Sequence, residues 1–376
     1  MMRITYPCLR MAKALILLAF AGISGYAQSG RVVPTPIPVR EDEPLRVHTE
    51  EIKLNVLAFD EAGNFFRDVT PNDLVIVENN VLHQPASVRR LPASVLIVMD
   101  TGGELRSVKS LDNTRKVAQS VVESLRPGDA VAIMQYADKP VIVGEWTTDR
   151  AMMLAAIRRT NFGRRSAFIE AVKMATGFML REGVENRHIV LITDGTDSFG
   201  RSSAKFDALQ RLIATDVSVH VISYSAMEAE DIEPRTKGTS NTPPRKALPP
   251  EVIDQLPNGA KDMQTAPKIG PTINLDRTLI KKMKARKADL EAATEQLEKV
   301  AETTNGEFIL PVSIDEMVEK AAYVARMIDS SYVVTYVPKL TVVETRGRAE
   351  RKIEVTSKRP GLIVQARRTL LIESGK

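Results

Sequence analysis

The chain has 376 residues, 43% of them hydrophobic and 26% charged, a globular balance with apolar material for two or three folded units. Its 52 basic and 47 acidic residues give a formal net charge of +5, and three of the basic ones, Arg3, Arg10 and Lys13, lie in an acid-free N-terminal stretch. Without that stretch the balance is 49 to 47, so bulk charge offers nothing to nucleic acid, and the single cysteine, Cys8, falls in the same stretch, which excludes disulfides and thiol catalysis from the rest.

The first element is an apolar run, Ala14-Leu-Ile-Leu-Leu-Ala-Phe-Ala-Gly-Ile23, behind the scattered positive charges. Gly25 and Ala27 fit the minus-three and minus-one places of a signal-peptidase site, so residues 1–27 read as a signal peptide and the protein as exported, periplasmic or secreted. The run is short for a bilayer span, and an uncleaved anchor is the alternative. Residues 28–44, rich in proline and charge, read as a linker. Ile52, Leu54, Val56 and Ala58 then alternate with polar positions, and Leu74 to Glu78 leads into Asn79-Asn80, a pair suited to a tight hairpin. Residues 45–91 are therefore expected to form a small β module.

At Ser94 the pattern changes. Val95-Leu-Ile-Val-Met99 is a continuous apolar run ending at Asp100, as in a strand buried on both faces of a parallel sheet. Amphipathic helices and further apolar runs alternate to Ser223, including His188 to Thr193, which ends at Asp194-Gly195. This alternation predicts an α/β fold with a doubly wound, mostly parallel sheet over residues 92–338, flanked by β-rich segments. Residues 228–274 break it: eight of the 21 prolines fall between Met227 and Asn274, no apolar period is visible, and the segment is expected to be disordered or loosely packed. Leu279, Met283, Leu290, Ala293, Leu297 and Val300 then mark a long amphipathic helix with strongly basic early turns. Residues 339–376 read as a β-rich C-terminal segment.

Leu96-Ile-Val-Met-Asp100, Leu125-Arg-Pro-Gly-Asp129, Ser166-Ala-Phe-Ile-Glu-Ala171 and Val190-Leu-Ile-Thr-Asp-Gly195, in this order and spacing, resemble the von Willebrand factor A family. Asp68-Val-Thr-Pro-Asn-Asp-Leu74 and Tyr332-Val-Val-Thr-Tyr-Val-Pro338 are similar to its secreted branch known from acidobacterial genomes. The resemblance implies a Rossmann-like sheet with a metal-ion-dependent adhesion site at its carboxyl edge, where an Asp-x-Ser-x-Ser loop, a threonine and a second aspartate hold the ion. A partner protein's acidic side chain completes the shell. On this chain those places fall on Asp100, Ser166 and Asp194, but Gly102 and Glu104 stand at the two serines. The expected site is thus degenerate, with Asp100, Glu104, Ser166 and Asp194 as ligands for Mg²⁺ or Ca²⁺. It can equally be a vestigial site: Asp100 and Asp194 can be turn caps, and Ser166 the N-cap of a helix.

Arg158, Arg159, Arg164 and Arg165 crowd the loop before Ser166. Arg164 and Arg165 are the candidates for supplying the positive charge of a missing metal, for pairing with Glu104 or receiving an acidic partner; otherwise they are a solvated face. No Gly-x-Ser-x-Gly elbow, phosphate loop or His-Glu-x-x-His helix occurs, and His48, His83, His188 and His220 are scattered. The expectation is a protein-binding module, not an enzyme, with no nucleic acid and no small-molecule substrate. The rival is a structural or assembly component of the cell envelope whose β flanks or insertion make the contacts.

Overall fold

A computed structural model of the chain describes residues 51–103, 108–200, 202–243, 253–266, 269–339 and 348–373. The expected signal peptide and linker, Glu104, and residues 244–252 and 267–268 of the 228–274 segment lie outside the described residues.

In chain order the elements begin with strands β1 (Ile52–Phe59), β2 (Leu74–Glu78), β3 (Val81–His83), β4 (Ser87–Arg89) and β5 (Ser94–Asp100). Helix α1 (Leu111–Ser124), β6 (Ala130–Tyr136), β7 (Pro140–Thr147), α2 (Arg150–Arg158), α3 (Phe168–Met179) and β8 (Arg187–Thr193) follow. Next come α4 (Ser202–Ile213), β9 (Ser218–Ser223), α5 (Ser225–Ile232), β10 (Thr239–Ser240), α6 (Asn258–Thr265), β11 (Thr272–Ile273) and α7 (Arg277–Thr303). The chain continues through β12 (Phe308–Ile309), α8 (Ile314–Asp329), β13 (Ser331–Tyr336), β14 (Arg348–Ser357), β15 (Ile363–Ala366) and β16 (Thr369–Glu373).

The central sheet has the order β12-β9-β8-β5-β6-β7, parallel except for the edge strand β7. Val95, Leu96, Ile97 and Met99 of β5 are fully buried, as its unbroken apolar run requires. One face packs against α1, α2 and α8, the other against α3, α4 and α7. The fold is the expected doubly wound α/β sheet. Chain order reverses between β5 and β8, so a crevice forms at their carboxyl ends.

The flanking β segments come together. β15-β1-β13-β4 and β16-β14-β2-β3 are two four-stranded sheets enclosing Leu54, Val56, Leu74, Ile76, Val334 and Tyr336. The alternating face of β1 needs an apolar partner, and β13 supplies it, pairing from Ile52↔Tyr336 to Leu57↔Ser331. β13 therefore belongs to this β unit and not to the central sheet, although its sequence falls in the 92–338 range. The unit sits at the amino ends of the parallel strands. There Asn55 donates to Ser218 Oγ (3.1 Å), and Arg367 to the carbonyls of Thr215 (2.5 Å) and Val217 (3.1 Å).

The segment expected to be loose from residue 228 is structured where it is described. Its start is α5, whose Ile232 packs with Met283 and Leu290 of α7, and Glu228, Asp231 and Thr236 are buried beside it. Polar burial of this kind leaves no apolar period to read. Among the described residues no helix is long and apolar enough to cross a membrane.

Candidate functional site

Three of the residues singled out in the sequence meet at the crevice. Asp100 ends β5, Asp194 directly follows β8, and Ser166 precedes α3; all three are buried. Ser166 Oγ lies 3.4 Å from both carboxylate oxygens of Asp100, and Thr193 Oγ1 donates to Asp100 Oδ2 at 3.3 Å. The Gly102 N–H donates to Asp100 Oδ1 (3.1 Å), while Thr196 donates its N–H and its hydroxyl to Asp194 Oδ1, both at 2.7 Å. Ser166 is not a helix cap. Asp197 does that work, accepting the Ile169 N–H of the first turn of α3 at 2.8 Å.

Two basic side chains complete the cluster, neither marked out by the sequence pattern. Lys109, in the loop before α1, places its ammonium 2.7 Å from Asp100 Oδ2 and 2.9 Å from Asp194 Oδ2, with its side chain 5% exposed. Arg286, on the inner face of α7, donates to Asp194 Oδ2 (3.0 Å), Glu228 Oε2 (2.8 Å) and Thr196 Oγ1 (2.7 Å). Three buried carboxylates thus share two cations, Lys109 buried with them and Arg286 reaching in from the rim, where charges attract strongly and an unpaired one is expensive.

The titration directions follow from that count. Burial lifts the Asp100 carboxyl above its ordinary range, against the Lys109 ammonium. Burial would also lift Asp194, but Lys109 and Arg286 outweigh it and hold this carboxyl well below its usual value. Burial works against the charge on Lys109, yet Asp100 and Asp194 together hold its ammonium protonated well beyond the ordinary lysine range. Glu228 is left with the deficit: burial first, then the Asp194 charge, push it up to about 7.

A hard divalent cation needs several oxygen ligands at about 2.0–2.6 Å. The ammonium of Lys109 stands between the two carboxylates such an ion would bridge, and Gly102 brings no side-chain oxygen. A Cβ at Gly102 would fall 1.9 Å from the Arg165 carbonyl oxygen and 2.7 Å from Ala137 Cα, so the loop has closed over the place of the first family hydroxyl. Among the described residues no group of three or more His, Cys, Asp or Glu is placed to hold a metal. In this arrangement the described residues do not fit Mg²⁺ or Ca²⁺.

Glu104 lies outside the described residues, and its expected role as a ligand is not part of this geometry. Arg164 and Arg165 are exposed and make no ion pair with a described acid; Arg165 lies over the Phe199 ring at 5.0 Å. Arg159 bonds the Val143 carbonyl at 3.1 Å. The positive charge of the site comes from Lys109 and Arg286, not from this arginine-rich loop.

Residues 95–196 match the sequence model of the von Willebrand factor type A domain. The chain carries a von Willebrand factor type A domain. Domains of this type typically mediate protein–protein interaction. Among solved structures, an aerotolerance-related membrane protein from Bacteroides fragilis is 18% identical, with a TM-score of 0.39 over 63% of this chain and 98% of that one. BatB from Bacteroides thetaiotaomicron is 16% identical, with a TM-score of 0.37 over 62% of this chain and 98% of its own. A von Willebrand factor type A protein from Catenulispora acidiphila is 10% identical, with a TM-score of 0.41 over 87% of this chain and 74% of its own. Among curated proteins no sequence matches the chain significantly. The matched A-domain residues include Asp100, Lys109, Ser166 and Asp194.

Proposed function

We propose that the protein is an exported binding module, not an enzyme, whose A domain holds a protein partner without a divalent metal ion. The observation that carries this reading is the Lys109 ammonium seated between Asp100 and Asp194. A tethered cation gives both aspartates their counter-charge permanently, so nothing has to be bound from solution to keep the crevice closed. Its charge is spent on two internal carboxylates, which leaves little to recruit a partner's acid. The partner is then held by the outer surfaces of the A domain, its β unit or the arm between β9 and β12, the assembly-component form of a binding role. Catalysis would need a substrate to reach this cluster, and both aspartates are sealed from solvent. Export rests on the N-terminal sequence alone, from the charges before Ala14 to the small residues at Gly25 and Ala27.

The test is to cross-link the chain to its partner in the native host, identify the partner, and measure the affinity of the purified pair with and without a chelator. The reading expects the same dissociation constant in both. A loss of binding on chelation, restored by Mg²⁺ or Ca²⁺, would contradict it.

A further inference from the structure

The arm between β9 and β12 presents a surface that neither the A-domain site nor the β unit uses. Asn274 pins its tip: the Nδ2 group donates to the carbonyls of Pro234 (3.1 Å) and Lys237 (2.9 Å), and the backbone N–H to Gly238 (2.8 Å). The residues on either side of this pin are forced outward. Ile273 is 64% exposed, Leu275 is 90% exposed, and Leu279 on the first turn of α7 is 37% exposed.

Basic residues line the same end of the helix. Arg277, Lys281 and Lys284 stand at i, i+4 and i+7 on α7, hence on one stripe, opposite the buried Met283 and Leu290. All three are exposed and have no ion-pair partner among the described residues. Asp276 does not offset them, since its carboxylate caps the helix by accepting the N–H groups of Thr278 (2.8 Å) and Leu279 (3.1 Å). Folding thus holds Leu275 almost wholly and Ile273 mostly in water at the same end as an unpaired cationic stripe.

We propose that this tip docks on an anionic lipid surface. The stripe of cations matches lipid phosphates in charge, and the exposed aliphatic side chains at the same end gain by burial at the headgroup level. Each cation held near an anionic leaflet strengthens binding about fivefold, so the three together contribute on the order of 100-fold.

Tryptophan emission at the tip tests the proposal on the full chain, which has one tryptophan of its own, Trp146. The Leu275→Trp variant is mixed with vesicles of brominated phosphatidylglycerol or brominated phosphatidylcholine, and wild type gives the Trp146 baseline. Quenching beyond that baseline is expected with phosphatidylglycerol only. Adding Arg277→Gln, Lys281→Gln and Lys284→Gln should raise the lipid concentration at half-quenching by roughly 100-fold. No extra quenching, equal quenching by both lipids, or an unshifted half-point in the charge variant overturns the proposal. Because the probe sits on the arm, membrane attachment through the N-terminal apolar run alone leaves it unquenched and counts against docking there.

Discussion

The two ends of the parallel sheet are both polar, yet they are closed by different chemistry. At the carboxyl ends, Asp100, Asp194 and Glu228 share the charges of Lys109 and Arg286. At the amino ends, where the β unit docks, the Arg367 guanidinium bonds main-chain carbonyls, Arg187 pairs with Asp216, and a further chain of bonds runs through neutral imidazoles. The Glu307 N–H donates to His220 Nδ1 (3.1 Å), which leaves His220 Nε2 to donate to His188 Nδ1 (3.2 Å) and His188 Nε2 to donate to Asn186 Oδ1 (3.0 Å). The lesson is that a buried ionic cluster is held by balance and is sensitive to the loss of any member. A neutral chain needs only direction. The family places its adhesion site at the end that this protein has closed with ions.

The largest expected effect breaks the ionic end. Lys109→Met keeps the volume and removes the charge, leaving two sealed carboxylates without their shared cation. Removing one partner from a buried ion cluster costs about 3–5 kcal/mol. Urea denaturation should show that loss, and a change under about 1 kcal/mol would mean the ammonium is not what balances the aspartates.

Next in size is Gly102→Ala. Its methyl would have to occupy the space of the Arg165 carbonyl and Ala137 Cα, and overpacking of this kind costs about 1–3 kcal/mol. The same clash means that a serine restored at Gly102 does not by itself rebuild the family's loop. A stability within about 0.5 kcal/mol of wild type would show that the loop yields easily.

The two ends act on the pH dependence with opposite sign over windows that overlap between 4.5 and 6.5, so single variants tell them apart. Glu228 is raised from 4.5 to about 7, so its contribution is whole below 4.5 and is lost as pH rises through 7. His220, pushed down by burial to about 3, and His188, also held well below 6.5 by burial, contribute fully above 6.5 and lose that contribution as pH falls. Glu228→Gln should remove the fall in stability as pH rises from 4.5 to 7, and His220→Gln should weaken the fall as pH drops below 6.5. If Glu228→Gln leaves the profile between pH 4.5 and 7 unchanged, the carboxyl is not carrying the deficit of the cluster.

Much of this architecture was legible because strands buried on both faces spell continuous apolar runs, as Val95 to Met99 does, and an aspartate at the end of such a run marks the crevice. Asp100 and Asp194 stand at the ends of such runs; Ser166 was found only through the resemblance to the von Willebrand factor A family. The cations were not found, since a single lysine or arginine carries no period. Arg286 nevertheless left a trace: the buried stripe of α7 runs Met283, Leu290, Ala293, Leu297 and Val300, and its spacing demands an inward residue at 286. An arginine filling a core position asks for a buried acid. Lys109 left another, since a lysine just before the Ser110 cap faces the positive end of the helix dipole and needs compensation. β13 was misplaced because a fully buried strand does not say which sheet buries it. The start of the arm between β9 and β12 was unreadable because Glu228, Asp231 and Thr236 are buried through polar chemistry.

The central claim is that Lys109 stands where a divalent ion would, and paired thermal melts of wild type and Lys109→Ala with and without Mg²⁺, Mn²⁺ or Ca²⁺ test it most directly. An ion bound only by the folded state at about a hundredfold over its dissociation constant adds about 2.7 kcal/mol, well above detection. The account predicts no shift for wild type with any of the ions. It also predicts a metal-dependent recovery for Lys109→Ala, whose two aspartates are left without their cation. A wild type stabilised by Mg²⁺ or Ca²⁺ to the same extent as the variant would contradict it.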